Sequence, residues 1–107
     1  MPVVTVGAPA HPRIPELLTA VADAIADALS LGAGDVLAVH VPAGAIAASG
    51  DGILDDGWWP VMTIHGGDRG ASPSAAAREA ADRAVRGWAE AAGRPLQGVW
   101  VTWSRPE

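Results

Sequence analysis

The sequence predicts an α/β fold: a duplicated βαβ unit forming one four-stranded sheet of mixed parallel and antiparallel strands, with two helices on one face. Three observations predict it. "PVVTV" at 2–6 returns nearly unchanged as "PVMTI" at 60–64. Each copy leads into a loop holding one arginine and then into apolar residues at helical spacing. Each helix is followed by a second strand, "LAVHV" in the first half and "VWVTW" in the second. Repetition in a constant order marks two copies of one supersecondary unit, and a strand, helix, strand unit pairs its strands in parallel through a right-handed crossover. A chain of 107 residues makes a single domain that buries roughly two-thirds of its unfolded surface. That domain spans 1–107, with repeat one at 2–42, a connector at 43–59 and repeat two at 60–104.

Each element has a local cause. Val3-Val4-Thr5-Val6 is short and β-branched, as a strand requires. Pro15-Glu16 opens the first helix, because proline suits the first turn and an acid suits the positive helix end. Leu17, Leu18, Val21, Ile25 and Leu29 then recur at three and four residues, and Gly32 and Gly34 stop the run. Val36 to Val41, "VLAVHV", is the second strand, ended by Pro42. The connector holds the turn signals "SGDG" and "DDG", with short strand pieces between them. "PVMTIH" at 60–65 is the third strand. After "GGDRGAS", Ser72 caps the second helix and Pro73 takes its first position. Ala77, Ala81, Ala84, Val85, Trp88 and Ala92 share one side of that helix, while Glu79/Arg83, Asp82/Arg86 and Arg86/Glu90 face water at i,i+4 spacing. Gly93 ends it, and "GVWVTW" at 98–103 is the fourth strand.

Composition excludes several function classes. A net charge of -5, with seven arginines and no lysine, opposes binding to a phosphate backbone. The longest uncharged stretch, Val36 to Gly50, is interrupted by His40, Pro42 and Gly44 and is shorter than the about 20 apolar residues a bilayer span needs. No basic and apolar leader opens the chain, so the expected location is cytoplasmic. The absence of cysteine excludes disulfides and thiolate metal sites. His11, His40 and His65 are dispersed without ligand spacing, so no metal or other cofactor is expected. "GGDRG" lacks the lysine and hydroxyl residue of a phosphate loop.

Two helices cover one face of a four-stranded sheet, yet the strands are apolar on both. Leu37, Val39 and Val41 alternate with Val36 and Ala38, and Val99 and Val101 alternate with Trp100. Sheets with parallel pairing are normally buried on both faces. The uncovered face is therefore expected to meet other copies of the chain, making a homo-oligomer. Trp58 and Trp59, ahead of the third strand, are expected to pack in the core or at that interface.

A duplicated βαβ chain of this size that begins Met-Pro on its first strand resembles the tautomerase superfamily, which includes 4-oxalocrotonate tautomerase (4-OT) and macrophage migration inhibitory factor. "LAVHV" followed by Pro42, and "TIHGG" at 63–67, are similar to strands of the migration inhibitory factor branch. The resemblance covers the whole chain in topology and these short pieces in sequence. It implies a homotrimer, with active sites near subunit boundaries and the processed N-terminal proline at the bottom of each.

That proline has chemistry of its own. Once Met1 is removed, the Pro2 nitrogen is a secondary amine, and an α-amino group ordinarily titrates at about 7.7 to 8.0. In a partly apolar pocket its charged form loses solvation, and the neutral amine serves as a general base and then acid. The expected activity is cofactor-free keto-enol tautomerisation of a small enolisable keto acid. The expected partner is thus a small carboxylate or enol. In the resemblance, Arg13 falls within about a residue of an arginine that binds a substrate carboxylate in the 4-OT branch, a task suited to a permanently charged fork. The second arginine of that branch falls at Ala38, and the lysine of the migration inhibitory factor branch falls near Gly32, so both cations are missing. Arg69, in the equivalent loop of repeat two, is a replacement cation or pairs with Asp68 or a neighbouring subunit. Trp100 and Thr102 occupy the strand that lines the pocket in the migration inhibitory factor branch, and His65 completes the candidate substrate-binding set. Two alternatives remain: the same fold with diverged chemistry (hydration, dehalogenation, decarboxylation or a biosynthetic step on a bulkier, less charged substrate), and a non-catalytic oligomeric binding protein. The last applies if Met1 is retained, because Pro2 nitrogen is then an amide without basicity.

Overall fold

In the computed structural model, which describes residues 2–53 and 59–105, the two repeats form β1 (Val3–Ala8), α1 (Ile14–Ala28) and β2 (Leu37–Pro42), then β5 (Val61–His65), α2 (Ala71–Ala92) and β6 (Trp100–Ser104). Met1 and Trp58, both used in the sequence reading, lie outside the described residues. Between the repeats, β3 (Ala47–Ala48) and β4 (Gly52–Ile53) make a small antiparallel ladder, the short pieces expected of the connector.

The sheet order is β2-β1-β5-β6. β1 pairs with β2, and β5 with β6, in parallel, while β1 and β5 meet antiparallel in the centre. The duplication is visible in the register. Thr5 and Thr63 are equivalent positions of "PVVTV" and "PVMTI", and the central ladder sets them directly opposite one another. A pseudo-two-fold axis therefore passes between them. Pro2 and Pro60 are equivalent in the same sense: both side chains are fully buried, and their carbonyls accept from the first amide of the neighbouring parallel strand, Leu37 at 3.1 Å and Trp100 at 3.0 Å. Those bonds correct the motif alignment by one residue. "LAVHV" matches "WVTWS" rather than "VWVTW", because Val3 pairs with Leu37 and Val61 with Trp100. In a strand a one-residue slip exchanges the two faces.

Alternation then sorts the sheet. Val4, Val6, Ala8, Met62 and Ile64 point into the core, where Leu17, Val21 and Ile25 of α1 and Ala77, Ala81 and Val85 of α2 cover them. These α1 positions are the sequence-predicted apolar stripe, fully buried as expected, whereas Leu18 and Leu29 are only partly buried. The helices start and stop slightly differently from expectation. α1 begins at Ile14 after Arg13, and the left-handed residue behind its end is Ser30 (φ 56°) rather than Gly32. α2 begins at Ala71 after Gly70 with no side-chain cap, so Ser72 and Pro73 fall at its second and third positions. A proline there removes no helical bond, because the first amides of a helix have no intrahelical acceptor. Gly93 (φ 69°) terminates α2 as expected. Of the i,i+4 pairs read from α2, Asp82 and Arg86 form an ion pair at 2.9 Å.

The other sheet face has no cover. It presents Leu37, Val39 and Val41 from β2, Val3, Thr5 and Gly7 from β1, Val61, Thr63 and His65 from β5, and Trp100, Thr102 and Ser104 from β6, as the pairing registers require. Leu37, Val39, Val41, Val61 and Trp100 are each between 46% and 60% exposed.

Candidate functional site

Pro2 stands just before β1, and its side chain is completely buried. Continuing the register outward from Val3↔His65 sets it beside Gly66. Gly66 has no side chain to spare: a Cβ there would lie 2.8 Å from Cζ2 of Trp103, whose ring packs over this position. Close contact of ring and backbone thus closes the floor next to the proline. Gly66 N–H donates to the carbonyl of Ser104 at 3.0 Å, carrying the β5–β6 ladder one step past its last paired residues.

His65 lies at the same end, on the uncovered face. The Thr5 hydroxyl is 3.4 Å from the carbonyl of Thr63, which can only accept, and 3.5 Å from Nε2 of His65. Thr5 therefore donates to Thr63 and accepts from a Nε2–H tautomer of His65. Thr102 donates to the Thr63 hydroxyl at 3.5 Å. Thr5, Thr63 and Thr102 thereby form a polar row across the middle of the uncovered face.

The remaining candidates are elsewhere in the chain. Trp100 pairs with Val61 and through it reaches the level of Gly7. At about 3.3 Å per residue this is roughly 17 Å from Pro2 along the sheet. Arg13 lies beyond the far end of β1, in the helical layer. Its Nε and Nη2 both donate to Oε2 of Glu16, at 2.9 and 2.6 Å, and Nη1 donates to the carbonyl of Ala91 at 3.1 Å. The hydrogen bond from Arg13 holds the Glu16 carboxyl below its ordinary range, although both groups are exposed. Around this pair the Arg13 amide donates to Nδ1 of His11 (3.0 Å), the Trp88 indole donates to the Arg13 carbonyl (3.0 Å), and His11 stands edge-on to Trp88 with ring centres 5.3 Å apart. The cluster fastens the loop after β1 to the end of α2. Arg69 is at the Pro2 end of the molecule, but it lines a hollow with Leu29, Ser30, Ser72 and Pro73 at the helix termini. Asp68, one of the partners open to Arg69 in the sequence, pairs instead with Arg105 at 3.1 Å.

One chain thus brings Pro2 and His65 together at one sheet end, with Thr102 in the middle and Trp100 and Arg13 at the other end. Sequence reasoning missed Glu16 as the partner of Arg13, although the three-residue spacing at a helix start was visible. Trp88 was read only as apolar; its bond to a residue 75 positions away leaves no local signal. Among the described residues, no group of three or more His, Asp or Glu side chains converges as a metal site would require.

No protein-family model matches this sequence, and no curated protein is similar to it. Solved structures are. A fused 4-OT, a wild-type asymmetric trimer, superposes with a TM-score of 0.77 at 17% identity, over 97% of this chain and 85% of that one. A 5-carboxymethyl-2-hydroxymuconate isomerase from Deinococcus radiodurans R1 does so at 0.71 and 18% identity, over 96% and 82%. Macrophage migration inhibitory factor from Toxoplasma gondii does so at 0.66 and 21% identity, over 98% and 90%. With its βαβ units related by an axis between Thr5 and Thr63, the chain shares the fold of these 4-OT, isomerase and migration inhibitory factor structures.

Proposed function

We propose that the protein is a cofactor-free tautomerase of small enolisable keto acids, using Pro2, once Met1 has been removed, as the base that takes a proton from carbon and the acid that returns it. The observation that carries the reading is the complete burial of Pro2 at the head of β1, in a fold shared with a 4-OT and an isomerase. Burial disfavours a charged ammonium, which leaves a neutral secondary amine available as base near neutral pH. The amine abstracts the proton α to the carbonyl, the electron pair moves onto the carbonyl oxygen as an enolate, and the resulting ammonium delivers a proton to carbon or oxygen to complete the shift.

Assembly belongs to the same reading. Trp100 and Thr102 act on Pro2 as pocket wall and polar contact only if they are supplied by a neighbouring copy, because within one chain Trp100 lies at the opposite sheet end. We place the contact between copies on the uncovered face, with the trimeric arrangement of the fused 4-OT as the working geometry. Each site is then shared between chains. Arg69 and His65 are the same-chain candidates for a substrate carboxylate or carbonyl oxygen. Arg13 serves in that role only by exchanging its Glu16 bond for the substrate. This observation favours a second version of the reading, the same proton transfer on a less charged substrate.

Replacement of Pro2 by Ala tests the mechanism. The ketonisation rate of phenylenolpyruvate is expected to fall by about 10²- to 10⁴-fold, the usual contribution of a general acid–base, with the circular dichroism spectrum unchanged. A Pro2→Ala enzyme of wild-type rate would remove the proline from the mechanism.

A further inference from the structure

The uncovered sheet face is unusual in charge as well as polarity. Of its twelve residues, His65 is the only titratable group; the others are apolar, glycine, threonine or serine. The chain carries a net charge of -5, so two copies repel one another except where they meet through a neutral surface. The five half-exposed large apolar side chains of the four-stranded sheet all lie on that face. Charge and exposure therefore point to the same occupant, further copies of this chain, and the inference rests on the assembly proposed above.

We propose that His65 makes this contact proton-sensitive: copies associate through the face while the imidazole is neutral and separate when it is protonated. The geometry supplies the cause. His65 stands between Val3 of β1 and Ser104 of β6, with Leu37 one strand further and the Thr5 hydroxyl against Nε2. None of these side chains carries a charge. Pro2, at the same sheet end, supplies no anion: once Met1 is removed its nitrogen is an amine, which can only add positive charge beside the ring. In the loops beyond the strands, Asp68 and Arg105 are already paired with each other. Closing the face on a cationic ring removes it from water with no carboxylate among the described residues of that face to receive it, a cost that opposes burial of the charged form. The sign follows by linkage. The assembled state binds fewer protons than the separated chains, so association strengthens as pH rises through the imidazole range and is lost as pH falls through it.

The test is the molar mass of the full chain in solution, by light scattering after size exclusion, at about pH 7.5 and about pH 5, on either side of the ordinary imidazole value. Wild type is expected to be assembled at the higher pH and monomeric at the lower. His65→Asn is expected to stay assembled at both, and His65→Arg to be monomeric at both. Because His65 is exposed in the single chain, these variants should fold, which far-ultraviolet circular dichroism confirms. His40 and His11 remain in every variant as internal controls: His40 Nε2 donates to the Ala8 carbonyl at 3.0 Å, and His11 Nδ1 accepts from the Arg13 amide. A wild type that is monomeric at pH 7.5 overturns the assembly reading and this inference with it. A wild type assembled at both values, or a His65→Asn variant that dissociates in acid as wild type does, overturns the inference and leaves the assembly reading standing.

Discussion

Pro2 and Pro60 occupy equivalent places, bury their side chains equally and accept the same backbone bond. Chain position alone separates them: Pro60 nitrogen is an amide, and Pro2 nitrogen becomes an amine when Met1 leaves. On the proposed mechanism, chemistry would enter one copy of a duplicated unit without any change of residue type. At the same scale, Asp68 shows how a loop is tied down. Its carboxyl accepts from the Gly70 amide (3.0 Å) and pairs with Arg105 (3.1 Å), and these contacts, the backbone bond first, hold it below the ordinary Asp range. A carboxyl depressed on folding contributes stability above its unfolded value, about 3.9, and the contribution is lost as pH falls through the lower folded value. The melting temperature of Asp68→Ala is therefore expected to lie below that of wild type at neutral pH, with the gap closing in acid below about pH 3.9. A gap independent of pH would mean that the loop depends on Asp68 for something other than its charge.

The elements are where the sequence was most legible. Alternation and helical spacing located β1, α1, β5 and α2 to within about two residues, because each has a one-sided or β-branched pattern with a breaker at its end. Two kinds of information stayed hidden. The offset between "LAVHV" and "WVTWS" depends on which amide reaches Pro2 or Pro60, a bond between residues distant in the chain. The candidate site was legible as residue types and not as a place: Arg13 is an available fork in the sequence, but in the fold Glu16 and Ala91 take its donors, and Trp100 ends up far from Pro2. Gly66 supplies the test at this scale. A Cβ at this position meets the Trp103 ring at 2.8 Å, so Gly66→Ala forces ring or strand to move. Overpacking of this kind costs about 1 to 3 kcal/mol, to be read as a lower urea midpoint with an unchanged slope. A neutral substitution would show that the ring beside Pro2 is free to shift.

For the whole molecule, the decisive features are the two faces of one sheet. The covered face holds the core and uses ordinary apolar alternation. The open face has the same pattern without a helix to meet it, broken by the row of Thr5, Thr63 and Thr102 and by His65 and Ser104. In the proposed assembly, copies of the chain complete this face, and completion would also bring Trp100 and Thr102 of one chain toward Pro2 of another. Fold, assembly and chemistry then have one origin in the duplicated unit. The chemistry depends on the nitrogen of Pro2 being an amine. The most direct measurement is the intact mass of the protein purified from its native source. A mass short of the full sequence by one methionine is the expected result and leaves Pro2 with its basic nitrogen. A mass that retains Met1 would contradict the proline mechanism, and the fold would then have to serve a different chemistry or a binding role.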